Sequence, residues 1–240
     1  MSAAERIIRA ESNACRALAA LQFEHPVTHV YNPLEYASKP HRVFVRRFAA
    51  APREILFLGM NPGPFGMAQT GIPFGEIAAV RDWMGICEPV GKPPIENPKR
   101  PIEGFNCARS EISGQRLWGW AASRFANADT FFERCYVHNY CPLVFMADSG
   151  RNITPDKLPA LIRNRLFEIC DSLLLAVIRA IEPARIVGVG AFAEQCAERV
   201  AGERCTIGRI PHPSPASPAA NRDWAGNAER ALFDQGIRFN

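Results

Sequence analysis

The sequence has no Cys-x-x-Cys pair, no long apolar run, no internal repeat and no low-complexity tract. Each absence removes a class of protein. The eight cysteines (15, 87, 107, 135, 141, 170, 196 and 205) lack the paired spacing of zinc and iron–sulfur sites. Scattered in this way, they read as small buried hydrophobes in a reducing compartment, and neither a metal nor a cofactor is expected. The longest apolar helix candidate, residues 173–181, is too short to cross a bilayer and carries Arg179. The first ten residues include Glu5, Arg6 and Arg9 and have no apolar signal core. The expectation is a soluble, intracellular monomer without a membrane partner, in the cytoplasm or nucleoid of a bacterial cell or the nucleus of a eukaryotic one. A large excess of either charge is also missing. A net charge of +4 admits an anionic partner without requiring one.

What is present is an ordinary globular composition, 48% apolar and 22% charged over 240 residues, enough for one sizeable core. Residues 1–240 read as a single domain. An amphipathic helix over residues 3–22, with Ile7, Ala14, Leu18 and Leu21 at helical spacing, packs on it. Residues 27–53 are broken by Asn32-Pro33, Lys39-Pro40 and Ala51-Pro52, and read as irregular apart from a turn of helix at 33–36. Arg42, Arg46 and Arg47 in that stretch read as a solvated face. Strands are expected at 54–58, 135–138, 185–189 and 206–210. Helices are expected at 80–84, 113–126, from Thr154-Pro155 to 181 (with Pro159 admitting a later start), 191–201 and 221–234. Residues 85–114 are proline-rich and irregular. Strands alternating with helices give an α/β fold, a parallel sheet with helices on both faces.

The first strand runs into Gly59-Met60-Asn61-Pro62-Gly63-Pro64-Phe65-Gly66-Met67-Ala68-Gln69-Thr70-Gly71-Ile72-Pro73-Phe74-Gly75-Glu76, five glycines and three prolines in eighteen residues. Glycine lets backbone approach a ligand and proline removes freedom. The loop therefore reads as rigid and closely fitted, with Phe65 and Phe74 offering flat faces, rather than as a plain surface loop. Three of the four strands end in a polar–proline junction: Asn61-Pro62, Asn139 before Pro142, and His212-Pro213. Parallel strands share one carboxyl edge, where ligands bind, so Asn61, Asn139 and His212 should meet in one crevice. An amide suits the edge of an imide ring, and a histidine can donate to an oxygen gaining charge. The only carboxylate near these junctions, Glu76, reads as a cap of the next helix. The chemistry is that of a leaving group that departs once its charge is stabilised. Two other readings carry less. Gly188-Val189-Gly190-Ala191-Phe192-Ala193 imitates a dinucleotide fingerprint but lacks its acid on the next strand, and a Cys141–His212 hydrolase is opposed by Pro142.

The eighteen-residue motif and His212-Pro213-Ser214-Pro215 resemble the two signature motifs of uracil-DNA glycosylases, the first specifically those of the single-strand-selective monofunctional branch. The resemblance extends through Val80-Arg81-Asp82-Trp83, Pro98-Lys99-Arg100-Pro101, Val137-His138-Asn139, Ser149-Gly150-Arg151-Asn152 and Ala219-Ala220-Asn221, nearly the whole chain from Tyr31 onward. It implies a three-layer α/β/α fold around a four-stranded parallel sheet, and hydrolysis of the N-glycosidic bond of uracil in single- and double-stranded DNA. By similarity Asn61 positions the water and His212 stabilises the anion on uracil O2. Asn139 reads N3 and O4, Phe74 stacks on the flipped ring, and Met60 and Gly63 shape the floor and the C5 side. Ser214, Lys99, Arg100 and Arg151 would hold the DNA backbone. The wedge region is Pro215, Ala216 and Ser217. Ala216 stands where relatives tend to carry a long side chain, which implies weaker entry into paired duplex. A damaged-base binding protein without hydrolysis is the alternative from another class.

Overall fold

The computed structural model describes residues 1–217 and 220–239. The quoted motif residue Ala219 lies outside the described residues. Helix α1 (Ala3–Leu18) opens with a capping box between Ser2 and Glu5, and stops four residues short of the expected end. Strand β1 (His29–Tyr31) and the turn α2 (Pro33–Tyr36) follow. The stretch expected to be irregular then forms a full helix, α3 (Ser38–Phe48). Pro40 sits in its first turn, where a missing N–H costs nothing. Its face buries Phe44, Val45 and Phe48, and Phe48 stacks on Phe132 at 4.0 Å between ring centroids.

Strand β2 (Ile55–Gly59) is wholly buried. The long motif leaves it and contains the short α4 (Met67–Thr70). A π-helical turn covers Ala79–Trp83, and no regular element beyond the turn Gly104–Asn106 precedes α5 (Ile112–Arg124) among the described residues. Helix α6 (Ala128–Arg134) leads into β3 (Cys135–Asn139), followed by β4 (Val144–Met146) and β5 (Asn152–Ile153). Thr154 makes no side-chain cap, and Pro155–Lys157 is only a tight turn. The long helix α7 runs Ala160–Ile181, starting after Pro159. Strand β6 (Arg185–Val189), α8 (Ala191–Ala201), β7 (Thr206–Ile210) and α9 (Ala220–Asp234) complete the chain.

The central sheet is parallel, in the order β3-β2-β6-β7. Strand β2 holds an inner position, which explains its unbroken apolar run. Each of its buried side chains contributes about 1.5–3 kcal/mol. Helix α8 packs on β6 and α7, α1 packs on α7, and α9 packs on β7. Helices α5 and α6 bring Trp120 and Phe131 against Phe57 of β2. The fold is the expected three-layer α/β/α arrangement. A second, antiparallel sheet β1-β4-β5 was not expected. It fastens the segment after β1 to the loop that carries Arg151. No helix among the described residues is long and apolar enough to cross a membrane.

Candidate active site

Register puts the strand ends side by side. Gly59 of β2 pairs with Asn139 of β3, and β7 ends two residues before His212. Around them lies a cleft of about 380 Å³. Among its lining residues are Met60, Asn61, Gly63, Phe74, Asn139, His212 and Ser214, joined by Glu111, Ser113, Asn152 and Thr154. A larger groove of about 660 Å³, between the end of α1 and Lys92–Pro94, is lined mainly by aliphatic groups and lacks such convergence. The expected meeting of Asn61, Asn139 and His212 is therefore met.

The motif is a buried, internally bonded unit rather than a plain surface loop. Residues 66–77 are buried throughout. Gln69 spends its whole amide on the backbone: Nε2 donates to Pro64 O (3.1 Å) and Pro101 O (3.0 Å), and Oε1 accepts from the N–H groups of Glu103 and Gly104. The Thr70 hydroxyl donates to Gly75 O at 3.0 Å. From outside, His41 Nδ1 donates to Gly71 O at 2.7 Å while Nε2 meets Glu11 Oε1 at 2.9 Å. Burial opposes charge on His41, but Glu11 and these hydrogen bonds outweigh it and raise its pKa. The N-terminal helix thus reaches the far end of the motif through one buried ion pair.

Each polar group has a fixed orientation. Asn61 Nδ2 donates to Leu143 O at 3.1 Å, which leaves Oδ1 as the free acceptor. Asn139 is 4% exposed, and its Nδ2 donates to the Met67 thioether at 3.2 Å, a weak acceptor that a ligand oxygen readily replaces. Gly59 permits this packing: a Cβ there would lie 2.2 Å from Asn139 Oδ1 and 2.7 Å from the Phe74 ring. Phe74 takes a left-handed φ of 52°, held because its carbonyl accepts from Trp118 Nε1 at 2.9 Å.

His212 Nδ1 accepts from the backbone N–H of Ser214 at 3.1 Å, so the neutral ring carries its proton on Nε2. Burial lowers its pKa, which favours that neutral ring. Arg116 of α5 donates to Pro213 O (2.7 Å) and Trp224 of α9 to Pro211 O (2.8 Å), bracing the loop on both sides. Neither brace was evident in the sequence. Gly190 also has a different job from the one its fingerprint suggests. With φ of 93°, it faces His212, and a Cβ there would lie 3.1 Å from that of His212. The strand-end glycine makes room for an imidazole, not a pyrophosphate. The hydrolase alternative fails too, because Cys141 is fully buried and does not line the cleft.

Glu76 caps the next turn, accepting from Ala79 N–H at 2.9 Å, as expected. Glu111 was missed. The space beside Gly63, which the resemblance puts on the C5 side, is filled by its carboxyl: a Cβ at Gly63 would lie 2.3 Å from Oε1, and one at Gly66 would meet Oε2. Oε2 is buried without a hydrogen-bond partner. Burial, assisted by the Glu76 charge, raises its pKa from 4.5 to about 7. The folded protein therefore keeps a proton that the unfolded chain releases near pH 4.5, and stability falls as pH rises from about 4.5 to 7. Glu111→Gln is expected to match wild type at pH 4, below both pKa values, and to exceed it by about 1–3 kcal/mol at pH 8. Urea denaturation at the two pH values checks this, and parallel pH profiles would contradict the buried-acid assignment.

The backbone-contact candidates lie beside the cleft. Asn97 accepts from Lys99 N–H and donates to Ala147 O, which ties the Lys99-Arg100 turn to the loop carrying Arg151. A Cβ at Gly150 would lie 3.2 Å from both Lys99 Cβ and Arg100 Cγ. In the wedge region, Ser214 Oγ accepts from Ala216 N–H at 3.2 Å and Asn221 donates to Pro215 O at 3.0 Å. Pro215 and Ala216 are exposed, and Ser217 is half-buried.

The model of the Uracil DNA glycosylase superfamily matches residues 47–233. The chain belongs to this superfamily. It is 47% identical over 98% of its length to the Single-strand selective monofunctional uracil DNA glycosylase of Mus musculus, covering 86% of that protein. Against the protein of the same description from Rattus norvegicus, identity is 48% with the same coverage. Among solved structures, Pedobacter heparinus SMUG2 resembles it with a TM-score of 0.66, at 17% identity, over 98% of this chain and 95% of that one. That likeness speaks to the fold. The superfamily model begins at residue 47, so α1 and His41, which hold Gly71, lie outside the matched part of this superfamily member.

Proposed function

We propose that the chain is a monofunctional uracil-DNA glycosylase, acting as one domain and as a monomer on uracil in single- and double-stranded DNA and so starting base excision repair. Some 5-substituted or deaminated bases fall within its range, the C5 group being limited to what the Glu111 carboxyl beside Gly63 leaves free. The observation that carries this reading is the meeting of Asn61, Asn139 and His212 in one cleft, with the Asn61 amide nitrogen and His212 Nδ1 already engaged by the protein. The extruded base stacks on Phe74 while Asn139 reads N3 and O4. As the C1′–N1 bond breaks, its electron pair moves onto the ring, and His212 donates to O2, where charge collects. Asn61 Oδ1 accepts a hydrogen bond from a water that attacks C1′; the proton this water loses on addition passes to solvent, and the departing uracil anion takes one up from solvent at N1. The products are free uracil and an abasic sugar in an intact strand. Among the described residues no lysine lines the cleft, where it could form a Schiff base. Base binding without hydrolysis is not favoured, because it has no use for the water or for the donor to O2.

Incubation with a uracil-containing oligonucleotide in a chelator, followed by alkali, is expected to release uracil and cut the strand at that site. An uncut strand would overturn the reading. Extruding a base costs least when it is unpaired. With the short Ala216 exposed in the wedge turn, single strands are expected to be processed faster than uracil–adenine duplex. Ala216→Arg should raise duplex activity several-fold and leave single-strand activity unchanged. Equal rates on both substrates, unmoved by that substitution, would remove any wedge role from this turn.

A further inference from the structure

Phe65 belongs to the long motif but has no part in the cleft chemistry. It follows Pro64, which lines the cleft, and its ring is half-exposed. Two guanidinium groups lie over it, Arg109 at 4.2 Å and Arg100 at 5.2 Å from the centroid. All three abut the cleft. Arg109 stands two residues before Glu111, and Arg100 lies against Gly150, two residues before Asn152.

The charges of this patch are not neutralised. Among the described residues, Lys99, Arg100, Arg109 and Arg151 form no ion pair, whereas Arg47, Arg124 and Arg199 are each matched with a carboxylate. Arg100 Nε is buried without a partner, although its Nη1 donates to Lys99 O at 2.8 Å. An aromatic ring clustered with unpaired guanidinium groups offers a nucleic-acid strand two things. Flat faces accept an unstacked base, and fixed N–H forks accept phosphate. A paired base in a duplex cannot present its face in this way.

We propose that Phe65, Arg100 and Arg109 form a second nucleotide subsite on the damaged strand. It stacks a base neighbouring the extruded uridine and holds the adjoining phosphate, with Lys99 and Arg151 continuing the backbone contact. The strand is gripped from the cleft rim, so a wedge in the stack is not needed. This inference rests on the proposed action on DNA only for the identity of its ligand.

The test is binding of an oligonucleotide carrying uncleavable 2′-fluoro-deoxyuridine, as a single strand and as a duplex, across a salt series. Phe65→Ala is expected to weaken single-strand binding about tenfold and to change duplex binding less than twofold. Phe65→Leu, which keeps an apolar side chain in the loop, should show the same loss with an unchanged Tm. Arg109→Ala should reduce the slope of log K against log salt by about 0.7 for the single strand. Arg46→Ala on α3 should change neither. Single-strand affinity within twofold of wild type in Phe65→Leu, or equal losses on both substrates, would overturn the subsite. If the wild-type protein cuts uracil strands while the Phe65 variants are silent, the subsite alone fails. If wild type neither binds nor cuts DNA, the functional reading fails first.

Discussion

His212→Ala is expected to lower kcat by about a hundred- to a thousandfold while affinity for uracil-containing DNA changes little. Removing one preorganised donor at a developing oxyanion has that typical size. Affinity is spared because charge on O2 is small before the bond breaks, so the donor acts mainly in the transition state. The geometry also sets the pH dependence. Ser214 N–H donates to Nδ1, which requires the neutral ring with its proton on Nε2. Burial lowers the pKa, favouring that neutral form. Protonation would set two donors face to face at Nδ1 and break the loop contact. Wild-type kcat should therefore be flat above the ordinary histidine range, and fall as pH drops through the depressed pKa. Single-turnover rates against pH, beside binding to an uncleavable strand, separate the two quantities. A variant within threefold of wild type in kcat would remove His212 from the chemistry.

The four parallel strands and their polar ends were legible because a central strand of a covered sheet must be apolar on both faces. Ile55-Leu56-Phe57-Leu58 could be little else. Once the strands were parallel, the common edge followed, and Asn61, Asn139 and His212 with it. Elements defined by tertiary contact were not legible. Pro40 looks like a break until it is seen in the first turn of α3, whose stability comes from burying Phe44 and Phe48. The strands of the second sheet are two or three residues long and carry no periodicity of their own. Glu111 stands in an irregular segment, and no local pattern marks it. Its burial arises only because Gly63 and Gly66, remote in sequence, leave it space. Gly63 alone points from the sequence to the C5 side of a ligand, and the space beside it holds the protein's own carboxyl.

Asn61→Ala is expected to cost kcat about as much as His212→Ala, but through the other reactant. The amide is oriented by the Leu143 carbonyl at 3.1 Å, so Oδ1 alone is left to hold water. A near-attack position is a large part of such a rate, and a displaced water forfeits it. Asn61→Asp should not restore activity at neutral pH. Its carboxylate would face the Leu143 carbonyl with an acceptor where a donor is needed, and either repulsion or rotation would misplace the water. The two losses can be told apart with a better leaving group. An oligonucleotide bearing 5-fluorouracil, whose N1 anion is intrinsically more stable, relies less on a donor at O2. It should recover much of the kcat lost in His212→Ala and little of that lost in Asn61→Ala. Single-turnover rates on the two substrates give the comparison. Equal recovery in both variants would mean that Asn61, like His212, acts on the departing base, and the assignment of the water to Asn61 would have to be withdrawn.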